Sequence, residues 1–375
     1  MLRIGISGSY GGNNLGDEAI LQGILQQLRE SLEAHVTVFS PDAEDTRRRH
    51  AVDHVVPVRE LSREEVRPEV AGLDLLVLGG GGILYDGKAL TYLREVALAH
   101  ELGVPVFVYA VSVGPLFNPE ARNALRDGLN RAAVITVRDR GSQQLLEEIG
   151  VTAPVRVTAD PALLVAPDPA VDESLAAEGL TPGHRLIGIS VREPGEAAPN
   201  LNVGHYHQLL ANAADYMVDR YDATLVFVPM EPRMLDPQHS HAVIAGMANA
   251  RRALVLKREY SVAQTLSMMG HFEFALGMRL HFLIFAALQG VPFLALPYSN
   301  KVTGFIREFE MATPPVENIN AGLLLSYVDL AWDLRKDLRK RIASHLPRLK
   351  ERARETHRLL LELVKRIERR AERSA

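Results

Sequence analysis

The 375-residue chain contains no cysteine, which excludes disulfides, thiolate metal sites and a cysteine nucleophile, and fits a reducing compartment. It also lacks any uninterrupted apolar stretch near the roughly 20 residues that a membrane-spanning helix needs. The opening residues, MLRIGISGSYGG, run directly into a strand-like pattern without the apolar core and small-residue cleavage site of a signal peptide. These absences predict a soluble, cytoplasmic chain. Thirteen histidines include no H-E-x-x-H or comparable ligand spacing, so His205, His207, His239 and His241 read as surface residues and no metal is expected. There is no G-x-S-x-G elbow and no Walker A motif, which argues against hydrolase and kinase chemistry.

Positive charge is not in excess, with 42 Lys and Arg against 46 Asp and Glu, so nothing predicts bulk attraction to nucleic acid. The distribution is uneven. Residues 333–375 hold 15 Lys and Arg against 7 Asp and Glu, a net +8, which leaves −12 for the rest. Leu349, Ala353, Leu360, Val364 and Ile367 form an apolar stripe along this basic segment, as expected of helices that pack on one face and show charge on the other. Pro347 is an expected break.

What is there in quantity is alternation. Short β-branched runs at residues 2–7, 35–39, 53–58, 73–78, 104–111, 134–137 and 155–158 read as buried parallel strands. Between the first two, Leu21, Ile24, Leu25, Leu28 and Leu32 follow the spacing of an amphipathic helix. Residues 160–183, with Pro161, Pro167, Pro169 and Pro182, read as an interdomain connection. The pattern then restarts, with strands expected at 185–191, 223–229, 252–256, 272–276 and 292–296 and helices near 206–220 and 280–288. The expected fold class is therefore α/β: two doubly wound, Rossmann-like domains at 1–165 and 183–320, then C-terminal helices over 321–375 packing back on the first domain. Ligands of such sheets bind at the carboxyl ends of strands, so a cleft between the domains is the expected site.

Four constellations lie at those ends. Gly8-Ser9-Tyr10-Gly11-Gly12-Asn13-Asn14-Leu15-Gly16-Asp17-Glu18 joins the first strand to the first helix, where backbone N–H groups and the helix dipole favour anions. Asp17 reads as cleft-facing, and Glu18 reads equally as a helix-start carboxylate or as catalytic. The run Gly79-Gly80-Gly81-Gly82 is costly in chain entropy, so a ligand or the opposing domain is expected to approach its backbone. Arg192, after the first strand of the second domain, suits a phosphate or carboxylate through its planar fork. Arg279 and His281 open the apolar helix near 280–288, and Lys301 follows the next strand. A cation pair at a helix start opposes the macrodipole unless an anion sits there. No internal partner for the pair is evident, so alanine substitution is expected to leave stability unchanged.

Read together, these residues resemble the polysaccharide pyruvyl transferase family. The resembling stretches are 11–20, 79–86, Val137-Arg138-Asp139-Arg140-Gly141-Ser142, Asp160-Pro161-Ala162, 188–193, Phe227-Val228-Pro229-Met230, and Gly277-Met278-Arg279-Leu280-His281 with 297–305. They cover residues 1 to about 310. The bacterial branch that pyruvylates N-acetylmannosamine in cell-wall polysaccharide, where the ketal anchors S-layer proteins, is the most similar. The resemblance implies a GT-B-like fold, phosphoenolpyruvate as donor, and neither metal nor other cofactor. By this likeness Arg279-Leu280-His281 and Arg192 bind the donor and Lys301 is required for function. Ser299 and Ser112-Val113-Gly114 depart from the family pattern and leave the acceptor open. His281 is the candidate general acid and Asp17 the candidate base, while Asn14, Gly16, Gly80, Gly81 and Gly82 are candidate substrate-binding positions. The implied acceptor is a glycan, lipid-linked and reached by peripheral contact with the inner membrane face; oligomeric state stays open. A GT-B glycosyltransferase using a nucleotide sugar is the alternative, and a non-catalytic wall-polymer binding protein is a third reading.

Overall fold

The computed structural model describes all residues except 13, 169–171, 181–182, 194–201, 297–299, 316–318 and 375. Asn13, the linker residues Pro169 and Pro182, and Pro297-Tyr298-Ser299 therefore lie outside the described residues. The chain forms two compact units, Met1–Val165 with Arg348–Ala375, and Ala166–Pro347.

The first unit contains strands β1 (Leu2–Ser7), β2 (Ala34–Ser40), β3 (His54–Pro57), β4 (Leu75–Leu78), β5 (Gly81–Leu84), β6 (Val106–Val113), β7 (Val134–Val137) and β8 (Val155–Val157). Its helices are α1 (Leu15–Ser31), α2 (Ala43–Arg49), α3 (Arg63–Ala71), α4 (Ala89–Glu101), α5 (Pro119–Asn130) and α6 (Arg140–Glu148). The sheet runs β3-β2-β1-β4-β6-β7-β8, and β5 pairs with β6 off that path. All of its pairings are parallel, as βαβ crossovers require. Asn14 starts α1 by accepting hydrogen bonds from the Gly16 and Asp17 N–H groups. Ile20, Leu21, Ile24, Leu25 and Leu28 then fall on one buried face, each worth about 1.5–3 kcal/mol when fully removed from water.

The second unit contains α7 (Asp172–Ala177), β9 (Leu186–Ser190), α8 (Val203–Tyr221), β10 (Thr224–Phe227), α9 (Asp236–Ala245), β11 (Ala253–Val255), α10 (Val262–Met269), β12 (Phe272–Gly277), α11 (Leu280–Leu288), β13 (Phe293–Ala295), α12 (Asn300–Arg307) and α13 (Ala321–Asp333). Its parallel sheet runs β11-β10-β9-β12-β13. Reversal of strand order at β9 creates a switch point at the carboxyl ends of β9 and β12, where open α/β sheets bind ligands. Among the described residues, no helix is long and apolar enough to cross a membrane.

Three expectations need correction. No strand is expected at the glycine run, but Gly81 and Gly82 begin β5. Pro347 does not end a helix, since α14 (Arg335–Ser374) runs through it. Residues 321–375 also do not all join the first unit. Residues up to Pro347 belong to the second, where the Tyr216 hydroxyl donates to Asp329 and Trp332 stacks on Tyr221 with ring centroids 4.1 Å apart. From Arg348 onward α14 packs in the first unit. There Leu349, Ala353, Leu360 and Val364 are buried, and the Thr356 hydroxyl donates to Thr158 Oγ1.

Candidate functional site

In the second unit, residues from three strand ends line a small open pocket of about 100 Å³, formed by Arg192, Glu193, Glu231, Met234, Leu235, Asp236, His239 and Arg279. Arg192 follows β9, Glu231 and Asp236 follow β10, and Arg279 follows β12 and caps α11. The switch point therefore brings together two arginines 87 positions apart in sequence. Met278 helps set this junction: its sulfur accepts from the Arg192 backbone N–H at 3.4 Å and from the buried Tyr206 hydroxyl at 2.8 Å. Arg192 is half-buried, and its Nε donates to the Glu193 carbonyl at 3.1 Å.

Arg279 has internal partners that its sequence neighbourhood does not reveal. Its Nε and Nη2 donate to Asp236 at 3.1 and 2.5 Å, while Nη1 and Nη2 donate to Glu231 at 3.0 and 2.6 Å. Asp236, only 1% exposed, also accepts from the backbone N–H groups of Met230 and Glu231. As the first residue of α9, it gains further from the positive end of that helix. The anion demanded by a cation at the head of α11 is thus present, and the protein supplies it. This overturns the expectation that Arg279 lacks an internal partner.

His207 and His239 are not independent surface residues. His207 Nε2 lies 2.8 Å from His239 Nδ1, and both rings are half-buried. Burial holds both below the ordinary imidazole range. Next in effect, His239 lowers His207, while the nearby Glu193 and Asp236 pull His239 back up in part. His205 and His241 are exposed. Among the described residues, no group of three or more histidine, aspartate or glutamate side chains is arranged to hold a metal ion. His281 lies half-buried in the first turn of α11 beside the buried Leu280. Lys301, also half-buried, is the second residue of α12. Neither His281 nor Lys301 lines the pocket around Arg279.

In the first unit, several polar groups of the described part of the loop after β1 are engaged within the unit. Glu18 is buried, accepts from the Gly11 N–H at 2.8 Å, and lies 2.7 Å from His50 Nε2, a structural role. Asn14 caps α1 by taking the Gly16 N–H at 2.9 Å. Two of the N–H groups expected to cradle an anion, those of Gly11 and Gly16, are thereby engaged within the loop. Asp17 remains half-buried at the helix start. Its charge raises the already high ionisation range of Tyr10, after burial as the larger cause.

The glycine run is explained from within the same unit. A Cβ on Gly79 would stand 1.9 Å from the Tyr10 hydroxyl, and one on Gly80 would stand 2.9 Å from Ile20. Gly81 takes a φ of +102° beside Asp17, a backbone region open mainly to glycine. Close packing of Tyr10 and α1 accounts for Gly79 and Gly80 without a ligand, and half-buried Gly82 continues into β5. Other stretches that carry the family resemblance are also tied internally. Arg138 and Asp160 form a buried ion pair at 2.6 Å, and Asp139 caps α6 while accepting from Ser112.

Two Rossmann-type units with parallel sheets flanked by helices define a GT-B-like α/β fold. UDP-GlcNAc 2-epimerase from Neisseria meningitidis bound to UDP-GlcNAc shares this fold with a TM-score of 0.67 at 12% identity, over 96% of this chain and 100% of that one. The UDP-GlcNAc 2-epimerase from Methanocaldococcus jannaschii has a TM-score of 0.63 at 12% identity, over 89% and 93% of the two chains. No curated protein matches the chain by sequence. The polysaccharide pyruvyl transferase family model matches residues 14–300. The chain belongs to that family and is a transferase.

Proposed function

We propose that the chain moves the pyruvyl group of phosphoenolpyruvate onto two hydroxyls of a sugar, forming a ketal and releasing phosphate. The observation that carries this reading is the meeting of Arg192 and Arg279 in one pocket at the switch point of the second unit, in a chain of this family. A donor bearing a phosphate and a carboxylate needs two or three cations, and planar guanidinium forks hold such groups in pairs of hydrogen bonds. We assign donor binding to Arg192, Arg279, Leu280 and Lys301. The first-unit candidates Asn14, Gly16, Gly80, Gly81 and Gly82 are kept as acceptor-side positions through backbone shape, since their polar groups cap and pack the loop where described.

In the proposed chemistry His281 delivers a proton to the methylene carbon of the donor, leaving an oxocarbenium-like centre at the neighbouring carbon. One sugar hydroxyl adds there and loses its proton to Asp17. Phosphate leaves with the bond electrons, and a second hydroxyl adds to complete the ketal. The proton taken by Asp17 is passed on to restore His281, and the proton of the second hydroxyl departs with phosphate, so both groups return to their starting forms. Each such proton-transfer group contributes on the order of 10²–10⁴ in rate. The acceptor we favour is N-acetylmannosamine in a lipid-linked cell-wall polysaccharide precursor, met at the inner face of the membrane.

The test is phosphate release and ketal formation, followed by mass spectrometry, with phosphoenolpyruvate and a β-linked N-acetylmannosaminide. Transfer that is lost in His281→Ala and retained in His241→Ala supports the assignment. Turnover of a UDP-sugar without consumption of phosphoenolpyruvate would overturn it in favour of nucleotide-sugar chemistry.

A further inference from the structure

Arg279 presents two edges, and the structure treats them differently. The Nε–Nη2 edge lies on Asp236, a carboxylate that is 1% exposed, fixed at the head of α9 and also held by two backbone N–H groups. The Nη1–Nη2 edge meets Glu231 end-on at 3.0 and 2.6 Å. Like the other edge, it can match the two oxygens of a carboxylate or phosphate with paired hydrogen bonds. Glu231 sits outside any helix or strand, its side chain is 23% exposed, and it borders the open pocket. One carboxylate is built in, and the other stands between the guanidinium and solvent.

We infer that Glu231 is a displaceable counter-carboxylate, which occupies the outer edge of Arg279 and yields it to an anionic substrate group. The inference rests on the anion-site reading of Arg279 given above. Three consequences follow from charge and geometry. Paired with Glu231, the Arg279 guanidinium does not recruit stray anions. A ligand must outcompete an intramolecular carboxylate, so a doubly anchored dianion succeeds where simple anions fail. When the phosphate product forms, Glu231 can retake the edge and hasten its release. Asp236 does not exchange, and it is a positioning residue that holds the guanidinium plane while Glu231 moves.

The experiment is isothermal titration of the full chain with inorganic phosphate and, separately, with phosphoenolpyruvate. It compares wild type with Glu231→Gln and Glu231→Ala, each also combined with Arg279→Gln. Both Glu231 variants are expected to bind both anions about tenfold more tightly, a difference of about 1.4 kcal/mol, and Arg279→Gln should remove the gain. Equal or weaker binding in either folded variant overturns the inference and makes Glu231 an orienting residue. The absence of binding in every protein overturns it as well. Tighter phosphate binding through Arg279, in a chain that neither binds nor consumes phosphoenolpyruvate, would leave this inference standing and sink the donor reading. Pyruvyl transfer by wild type with unchanged phosphate affinity in the variants would do the reverse.

Discussion

Arg279 shows how a residue expected to act on a ligand can also be bound into the protein. Removing one partner of a buried ion pair costs roughly 3–5 kcal/mol, because the other charge is stranded away from water. Asp236 is the stranded partner here, whereas Glu231 can rehydrate. Arg279→Ala should therefore lower unfolding free energy by about that much, and Arg279→Ala/Asp236→Asn should regain most of it. Urea denaturation decides the matter: equal losses in both variants would mean that the pair does not behave as a buried one. The neighbouring His207–His239 contact makes a second prediction. Both rings are held below the ordinary imidazole range when folded, so the unfolded chain takes up protons first as pH falls. Their stabilising effect is complete at pH well above 6.5 and is lost progressively on acidification below it. His207→Gln should reduce the fall in urea midpoint between pH 7.5 and 5.5, and an unaltered slope would exclude this pair as its source.

At the scale of elements, the glycine run separates local propensity from packing. Gly79→Ala drives a methyl group into the Tyr10 hydroxyl, whereas a Cβ on Gly12 meets nothing within 4 Å. Overpacking costs about 1–3 kcal/mol, so Gly79→Ala should depress the melting temperature while Gly12→Ala stays near wild type. Matching melting curves for the two would refute the packing explanation. The same segment shows where the sequence stopped being legible. β-Branched runs and helical spacing sufficed for twelve of the thirteen strands among the described residues, because buried parallel strands and amphipathic helices write their burial into consecutive residues. β5 was missed because glycine is depleted in strands, and Gly81 and Gly82 make up half of it. Arg192 and Arg279 were legible as candidates because strand ends are predictable in a doubly wound sheet. Glu231, Asp236 and His239 were not, because they approach Arg279 across 40 to 48 positions from a loop and a helix start with no periodic signal. A carboxylate two residues past a strand-ending proline, followed by another at a helix start, was the available hint.

Across the whole molecule, α14 serves the second unit up to Pro347 and the first from Arg348, so its two ends should respond to different perturbations. Leu360 is fully buried in the first unit, and Leu→Ala at such a site costs about 2–5 kcal/mol. Leu360→Ala should weaken hydrogen-exchange protection in β1 and leave β9 protected; equal losses in both strands would mean that the units unfold together. Arg366, Arg369, Arg370 and Arg373 lie on the exposed terminal turns of the same helix, where substitution should change stability by less than about 0.5 kcal/mol. Folding therefore gives little reason for that cationic face, whereas the proposed lipid-linked acceptor does. A basic side chain near an anionic bilayer contributes about 1 kcal/mol, an effect that fades within a Debye length as salt rises. Changing the four arginines to Gln should release the chain from anionic liposomes at low salt while soluble-acceptor turnover and melting temperature stay unchanged. Wild-type binding to neutral and anionic liposomes should differ, and the difference should collapse in high salt. If wild type and the quadruple variant remain equally in the supernatant with either liposome at any salt, the arginine face has no membrane role, and α14 serves packing alone.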